Sequence, residues 1–139
     1  MINIIGAGPI GSYCAYLLSK SGKEVNIFEE HKEIGLPIQC TGITTSLLKK
    51  IIKLNKDVIV NEISKVRIFS PDKNFIEINF KEKNLIIDRS KFDKQIANMA
   101  KQQGAKFFLN HKFLENTKTS IKIKDQNNNK IKELKFNKL

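Results

Sequence analysis

Short apolar runs and one amphipathic stripe alternate over the first 30 residues. Residues 2–5 are largely apolar and rich in isoleucine, which predicts a buried strand, and residues 25–28 predict a second one. Between them, residues 12–20 predict a helix, and Gly22 stands where a helix commonly ends. The expected packed face of that helix consists of Cys14, Leu17 and Leu18. Strand, glycine turn, helix and strand in this order predict two parallel strands joined by a right-handed crossover.

The middle of the chain predicts one helix followed by several strands. Residues 31–43 have an irregular pattern, after which Thr44 or Thr45 is placed to cap a helix. The apolar residues of that helix are Leu47, Leu48, Ile51, Ile52 and Leu54. The predicted strands are residues 58–60, 63–69, 75–80 and 85–87. Within residues 75–80, apolar and polar positions alternate, which predicts one packed and one solvated face.

A second long helix is predicted to begin at Ser90. Asp93 follows three residues later, as in a capping box, and Gly104 ends the pattern. The expected buried stripe consists of Phe92, Ile96, Met99 and Ala100. A strand over residues 105–109 follows.

The remaining residues predict a hairpin. Residues 119–124 alternate isoleucine with lysine, residues 125–129 form a turn, and residues 131–136 pair back. The alternative is that this charged tail is a solvated, poorly ordered end.

Composition and charge narrow the class of protein. The chain has 139 residues, 40% hydrophobic and 28% charged, which suits one globular domain. Its 25 basic and 14 acidic side chains give a net charge of +11, a balance that fits nucleic acid or an anionic membrane. However, only Arg67 and Arg89 are arginines, and the lysines are spread along the chain. Because phosphate contacts need a concentrated basic face, we interpret the charge as a solvated basic surface and expect no specific nucleic-acid binding.

The cysteines and the first residues favour a reducing compartment. Residues 1–18 lack the basic start and cleavage site of a secretory leader and are too short to span a bilayer. We therefore expect a cytoplasmic chain. Cys14 and Cys40 form no metal-binding pattern, and Cys14 is expected to fill space on the packed helix face. We expect His31 and His111 to lie at the surface rather than to act in catalysis.

Residues 6–11 read Gly-Ala-Gly-Pro-Ile-Gly, the pattern G-x-G-x-x-G between a predicted strand and a predicted helix. In that context Gly6 permits the tight turn, Gly8 lets the backbone approach a pyrophosphate, and Gly11 lets the helix pack near the strand. The helix N-terminus supplies free N–H groups and the positive end of the helix dipole. The alternative is a glycine-rich turn with no ligand.

An acidic residue stands where this motif needs one. Glu29 follows Gly11 by 18 residues and ends the second predicted strand. A carboxylate there accepts a hydrogen bond from a ribose 2′-hydroxyl and repels a 2′-phosphate, which disfavours NADPH. Glu30 is a near alternative as the ribose ligand. This fingerprint fits FAD and NAD equally.

Two further segments carry a more specific resemblance. Residues 35–44 read GLPIQCTGIT and residues 87–93 read IDRSKFD. With the glycine turn, these segments resemble the geranylgeranyl reductase family of FAD-dependent oxidoreductases over nearly the whole chain. The resemblance implies an α/β, Rossmann-like FAD-binding domain with a central parallel sheet and an added antiparallel β segment. The cofactor contacts that it implies are Gly6, Gly8, Pro9, Ile10, Gly11, Glu29 or Glu30, Cys40, Thr41, Gly42, Ile43 and Arg89.

Two of these residues have competing interpretations. The resemblance places Cys40 beside the flavin or the substrate, whereas the alternative is a small buried filler. It places Arg89 on the FAD, and a rigid guanidinium fork suits phosphate and carbonyl oxygens; the alternative is a surface arginine. No catalytic residue is identified beyond Cys40 as a candidate.

Members of this family are longer, so we expect residues 1–139 to be a partial FAD-binding domain, truncated at its C-terminus and without a substrate domain. The implied activity is saturation of isoprenoid double bonds in archaeal-type lipid biosynthesis. The expected partners are an isoprenoid lipid, a complementing chain and a membrane surface contacted peripherally. The alternatives are another FAD-dependent oxidoreductase or monooxygenase of this fold, or a nonfunctional fragment that binds nucleotide weakly.

Overall fold

A computed structural model describes residues 1–135, which form nine strands, three α-helices and a short 3₁₀ helix, Lys56–Val58. In chain order the strands are β1 Ile2–Ile5, β2 Val25–Phe28, β3 Ile43–Thr45, β4 Ile59–Phe69, β5 Phe75–Ile87, β6 Lys106–Phe108, β7 His111–Asn116, β8 Ser120–Asp125 and β9 Ile131–Lys135. The helices are α1 Pro9–Lys20, α2 Leu48–Ile51 and α3 Arg89–Gln102. The chain divides into two compact units, one of Met1–Pro37 with the chain from Asp93 onward, the other of Ile38–Phe92.

The first unit contains the predicted parallel sheet. Its strand order is β1-β2-β6, with Ile4 opposite Ile27 and Ile27 opposite Phe107. Strands of a parallel sheet covered by helices are apolar on both faces, which explains the short isoleucine and valine runs. The core cluster consists of Ala7, Ala15, Val25, Ile27, Ile34, Ala97, Ala100 and Ala105. The predicted α/β fold class and the strands at residues 2–5, 25–28 and 105–109 are confirmed.

Helix α1 differs from the prediction in its start and in its packed face. It begins at Pro9, because proline at the first helical position lacks only an N–H that has no helical partner anyway. The face predicted from Cys14 and Leu17 was wrong: both are exposed, and Leu18 alone of that set is partly buried. The buried positions are Ser12, Ala15 and Ser19. Small side chains allow the helix to lie close to the sheet. A prediction that placed the largest apolar side chains on the packed face therefore could not identify which face of the helix is buried.

A second, antiparallel sheet of the first unit has the order β7-β8-β9. The predicted hairpin is confirmed as β8 and β9 up to Lys135, and Phe136 lies outside the described residues. Strand β7 was not predicted, because a register irregularity between Phe113 and Glu115 breaks its alternation. Phe28 of β2 packs with Ile121 and Ile123, so this sheet is held against the end of the parallel sheet.

The second unit is an antiparallel sheet of order β3-β5-β4. Thr44 and Thr45 do not cap a helix as predicted; they lie in β3, opposite Leu85 and Asn84. The predicted helix shrinks to α2, with Ile51 exposed. The four predicted strands between residues 58 and 87 join into two long ones, β4 and β5, because the strands pair along most of their length.

The N-terminus of α3 is capped by a different residue from the one predicted. The helix begins at Arg89, and the carboxylate of Asp88 accepts a 3.0 Å hydrogen bond from the Lys91 N–H. Asp88 therefore takes the N-cap position, and the capping box from Ser90 to Asp93 was wrong. Of the predicted stripe, Phe92, Ile96 and Ala100 are buried and Met99 is half-buried.

Within residues 1–135, no helix combines the length and the apolar character needed to cross a membrane.

The glycine turn makes one position intolerant of a side chain. A Cβ on Gly11 would lie 2.1 Å from the carbonyl oxygen of Gly6, whereas a Cβ on Gly8 would meet nothing within 4 Å. Alanine in a helix is about 1 kcal/mol more favourable than glycine, but overpacking against backbone costs about 1–3 kcal/mol or more. We expect Gly11→Ala to lower the free energy of unfolding by about 1–3 kcal/mol in urea titrations. Gly8→Ala is the matched control and should unfold like the parent; equal stability of the two variants would contradict the close approach.

Candidate nucleotide-binding site

The glycine turn joins β1 to α1 in a fixed geometry. Gly6 has a φ of +92°, a conformation that favours glycine, and its N–H donates to the Phe28 carbonyl at 2.8 Å. Ser12 Oγ donates to the carbonyl of the buried Ala7 at 2.9 Å, which closes the turn from the helix side. The turn is thus held from both the neighbouring strand and the helix.

The open side of this turn suits an anion. The space above Gly8 holds no atom within 4 Å of an added Cβ, and Gly8 gives the helix no side-chain cap. No acidic residue lies in the first turn of α1, whose first helical bond runs from the Ser12 N–H to the Gly8 carbonyl at 2.9 Å. The N–H groups of Ile10 and Gly11 therefore precede the helical ladder. These N–H groups form a cradle of the kind that binds anions at helix N-termini, and the side chain of Ile10 beside them is 82% exposed.

Glu29 touches the turn directly. Its Oε2 accepts a 2.7 Å hydrogen bond from the Ala7 N–H, and its Oε1 accepts the His31 N–H at 3.0 Å and His31 Nδ1 at 2.6 Å. Burial raises the pKa of Glu29, but the hydrogen bonds from Ala7 and His31 outweigh it, so the net pKa lies below its ordinary value. The carboxylate is therefore ionised and fixed beside the cradle.

A cavity of about 310 Å³ adjoins this carboxylate. Its lining residues are Ile5, Gly6, Phe28, Glu29, Glu30, His111, Lys112 and Phe113. The last three lie on β7 and were missed, because that strand was not predicted. Glu30, the alternative ribose ligand, lines the same cavity but forms an ion pair with Lys112 at 3.2 Å.

His111 does not lie at the surface as predicted. Its side chain is only 12% exposed, and Nδ1 donates to the Leu109 carbonyl at 2.7 Å. The ring lies against Phe28 and Phe108, with centroids 6.1 and 5.8 Å away. The side chain of His31 is 40% exposed, as expected for a surface residue, but its Nδ1 is hydrogen-bonded to the Glu29 carboxylate.

The second unit holds the other group of predicted site residues. Gly42 has a φ of +74°, and a Cβ there would lie 2.3 Å from the Ile87 carbonyl oxygen, so only glycine fits. Cys40 is exposed in the preceding loop, which excludes the buried-filler interpretation. Thr41 and Ile43 are exposed, and Arg89 is half-buried.

Cys40 and Arg89 interact. A hydrogen bond from the Gly42 backbone lowers the pKa of the Cys40 thiol, desolvation opposes it, and the Arg89 guanidinium lowers it further, by hydrogen bonding and by charge. The net pKa lies below the ordinary value of 9.0. A depressed pKa increases the thiolate fraction near neutral pH and therefore the reactivity of the thiol.

The Glu29 carboxylate makes stability depend on pH. Because its pKa is lower in the folded chain, its contribution is complete above the unfolded pKa of about 4.3 and is lost as pH falls through the folded value. We expect Glu29→Gln to lower the free energy of unfolding by about 1 kcal/mol near pH 7, since the amide is uncharged. Urea titrations from about pH 7 to pH 3 should show the parent and variant converging at acid pH. A constant difference would contradict this account.

The reactivity of Cys40 tests the Arg89 contact. In a Cys14→Ser background, where Cys40 is the remaining thiol, we expect the pH midpoint of iodoacetamide alkylation to lie below 9.0. Arg89→Ala should raise that midpoint, whereas Arg89→Lys, which keeps the charge, should raise it less. An unchanged midpoint in Arg89→Ala would show that the guanidinium does not act on the thiol.

Comparison with known proteins agrees with this geometry. Residues 4–46 match the NAD(P)-binding Rossmann-like domain family. Digeranylgeranylglycerophospholipid reductase of Methanocella arvoryzae is 34% identical over 107 residues, which are 73% of this chain and 27% of that protein. The reductase of the same name from Thermoplasma acidophilum is 30% identical over 142 aligned positions, 95% of this chain and 36% of that protein.

Solved structures of other proteins share the fold of this chain. A geranylgeranyl bacteriochlorophyll reductase-like protein from Thermoplasma acidophilum superposes with a TM-score of 0.77 at 27% identity, over 96% of this chain and 36% of that one. The flavin-dependent brominase Bmp2, as a triple mutant, has a TM-score of 0.74 at 22% identity and shares the fold. The chain thus spans about a quarter to a third of the length of these relatives. Its sequence and fold are those of a segment similar to the geranylgeranyl reductase family, and the predicted resemblance to that family is confirmed.

Proposed function

We propose that this chain is the FAD-binding part of a geranylgeranyl-reductase-type oxidoreductase. The observation that carries the proposal is the 2.7 Å hydrogen bond from the Ala7 N–H to Glu29, which joins a pyrophosphate cradle to a ribose acceptor. The flavin-dependent brominase that shares this fold, at 22% identity, supports FAD over NAD as the cofactor. Residues 1–139 form one partial cofactor domain in this proposal, and the substrate domain is supplied from outside them.

The first unit holds the nucleotide end of the cofactor. Gly6, Gly8, Pro9, Ile10 and Gly11 form the pyrophosphate cradle. The backbone N–H groups at the start of α1 bind the negative charge, and the absence of acidic residues from the first turn of α1 avoids repulsion. Glu29 holds the ribose, and the 310 Å³ cavity beside it receives the adenosine end.

The flavin contacts that the family resemblance implies lie within the second unit. Cys40 and Thr41 are exposed in the loop before β3, and Ile43 is the first residue of β3. The Ile87 N–H holds this segment by donating to the carbonyl of the buried Gly42 at 2.9 Å. Arg89, at the start of α3, donates to the cofactor in this proposal, and with the Gly42 backbone hydrogen bond it lowers the pKa of Cys40. FAD, when bound, supplies the hydride chemistry, and these residues position it.

The substrate class is an isoprenoid lipid whose double bonds are saturated. The names of the reductase relatives support this substrate. The net charge of +11 favours peripheral contact of a cytoplasmic protein with anionic lipid, and a complementing chain would carry the substrate domain. Another FAD-dependent oxidoreductase of this fold is the second candidate, which the fold of the brominase supports.

Flavin binding tests the proposal. The purified chain is incubated with FAD, freed of excess flavin by gel filtration and examined by absorption spectroscopy, and the Kd is then measured by flavin fluorescence. We expect bound flavin, and a Kd raised about tenfold or more in Gly8→Ala, whose Cβ would enter the space of the pyrophosphate. Lys23→Ala, an exposed change beyond α1, is the control and should bind like the parent.

Two results would contradict the proposal. One is the absence of flavin binding by the folded chain at about 100 μM FAD. The other is a folded Gly8→Ala variant that binds FAD as tightly as the parent. A tighter Kd for NADH than for FAD would favour a dinucleotide-binding module of another class.

A further inference from the structure

His31 occupies two acceptor positions on the carboxylate proposed to hold the ribose, one with its backbone N–H and one with its side chain. Oε1 of Glu29 receives two donors from the same residue, the His31 N–H at 3.0 Å and Nδ1 at 2.6 Å. An ionised carboxylate only accepts hydrogen bonds, so Nδ1 carries the proton. Oε2 receives the Ala7 N–H at 2.7 Å.

The number of free acceptor positions on Glu29 limits how many ribose hydroxyls it can bind. A carboxylate offers about four lone-pair positions, two on each oxygen. In the described residues, Oε1 is filled by its two donors, and Oε2 has one position left beside the glycine turn. We propose that His31 is a specificity-determining residue that limits Glu29 to a single hydroxyl of the bound ribose, accepted on Oε2. This inference rests on the proposed function.

Hydrogen bonds hold the backbone around His31, so the position from which its imidazole ring extends is fixed. The His31 carbonyl accepts the Asn110 N–H at 3.1 Å, and the Glu30 carbonyl accepts Gln126 Nε2 at 2.5 Å. The side chain itself is 40% exposed, so its replacement leaves the core intact. Removing the ring therefore frees one lone pair of Oε1 without moving the loop.

The experiment compares three nucleotides on the full chain. ADP, 2′-deoxy-ADP and 3′-deoxy-ADP are titrated into the parent, His31→Ala, His31→Asn and Lys32→Ala. The asparagine amide N–H stands near the position of Nδ1 and should replace its hydrogen bond, while Lys32 is an exposed neighbour and serves as the control.

In the parent, we expect one deoxy analogue to bind about fivefold to tenfold more weakly than ADP and the other less than twofold more weakly. His31→Ala should make both analogues bind about fivefold to tenfold more weakly than ADP, because Oε1 then accepts the second hydroxyl. His31→Asn and Lys32→Ala should keep the single-hydroxyl pattern of the parent. Equal losses for both analogues in the parent, or an unchanged pattern in His31→Ala, would overturn the inference.

A measurement without nucleotide separates this inference from the proposed function. Long-range ¹H–¹⁵N NMR spectra of the imidazole report which ring nitrogen carries the proton. We expect the proton of His31 on Nδ1 in the parent and a changed tautomer population in Glu29→Ala. If Nδ1 is unprotonated, the inference fails even where ADP and FAD bind; if Nδ1 is protonated but no nucleotide binds, both the proposed function and the single-hydroxyl inference fail.

Discussion

One carboxylate residue links the parts of the nucleotide site. The side chain of Glu29 accepts the Ala7 N–H, so the glycine turn is held by the end of the neighbouring strand. Its backbone N–H donates to the Phe108 carbonyl and its carbonyl accepts the His111 N–H. A single residue at the end of β2 thereby connects the glycine turn, β6 and β7. Because the hydrogen bonds to the carboxylate keep it ionised, the contacts that fix the fold also maintain the negative acceptor that we propose binds the ribose.

Each unit also depends on a glycine that faces a carbonyl oxygen. At Gly11 that oxygen belongs to Gly6, 2.1 Å from where a Cβ would lie, and at Gly42 it belongs to Ile87, at 2.3 Å. The first close approach brings the N-terminus of α1 to the end of β1. The second brings the Cys40 loop to the end of β5, next to Arg89. In both units, therefore, the positions of the candidate ligand groups follow from a missing side chain.

Local patterns predicted the parallel unit well and the second unit poorly, for a physical reason. The glycine turn and the apolar runs of β1 and β2 depend on residues close together in the sequence, so they could be predicted from the sequence alone. The exposure of Cys14 depended on small residues facing the sheet, and the cap at Asp88 depended on where β5 ends. His111 lines the cavity from β7, and this strand was not predicted because its irregular register interrupts the alternation of apolar and polar residues. The predicted site residues remain assigned by motif, whereas the cavity wall on β7 required the structure.

The β4–β5 ladder shows why alternation did not predict burial. Ile68 lies opposite Ile76 on a face expected to be packed, yet both are more than half exposed in the described chain. The pairing is supported by cross-strand contacts instead: Arg67 lies 2.8 Å from Glu77, and the rings of Phe69 and Phe75 lie 5.4 Å apart. Such pairs stabilise a ladder without a covered face. A period of two therefore identifies which side chains share a face, while burial depends on a second layer that the period does not specify.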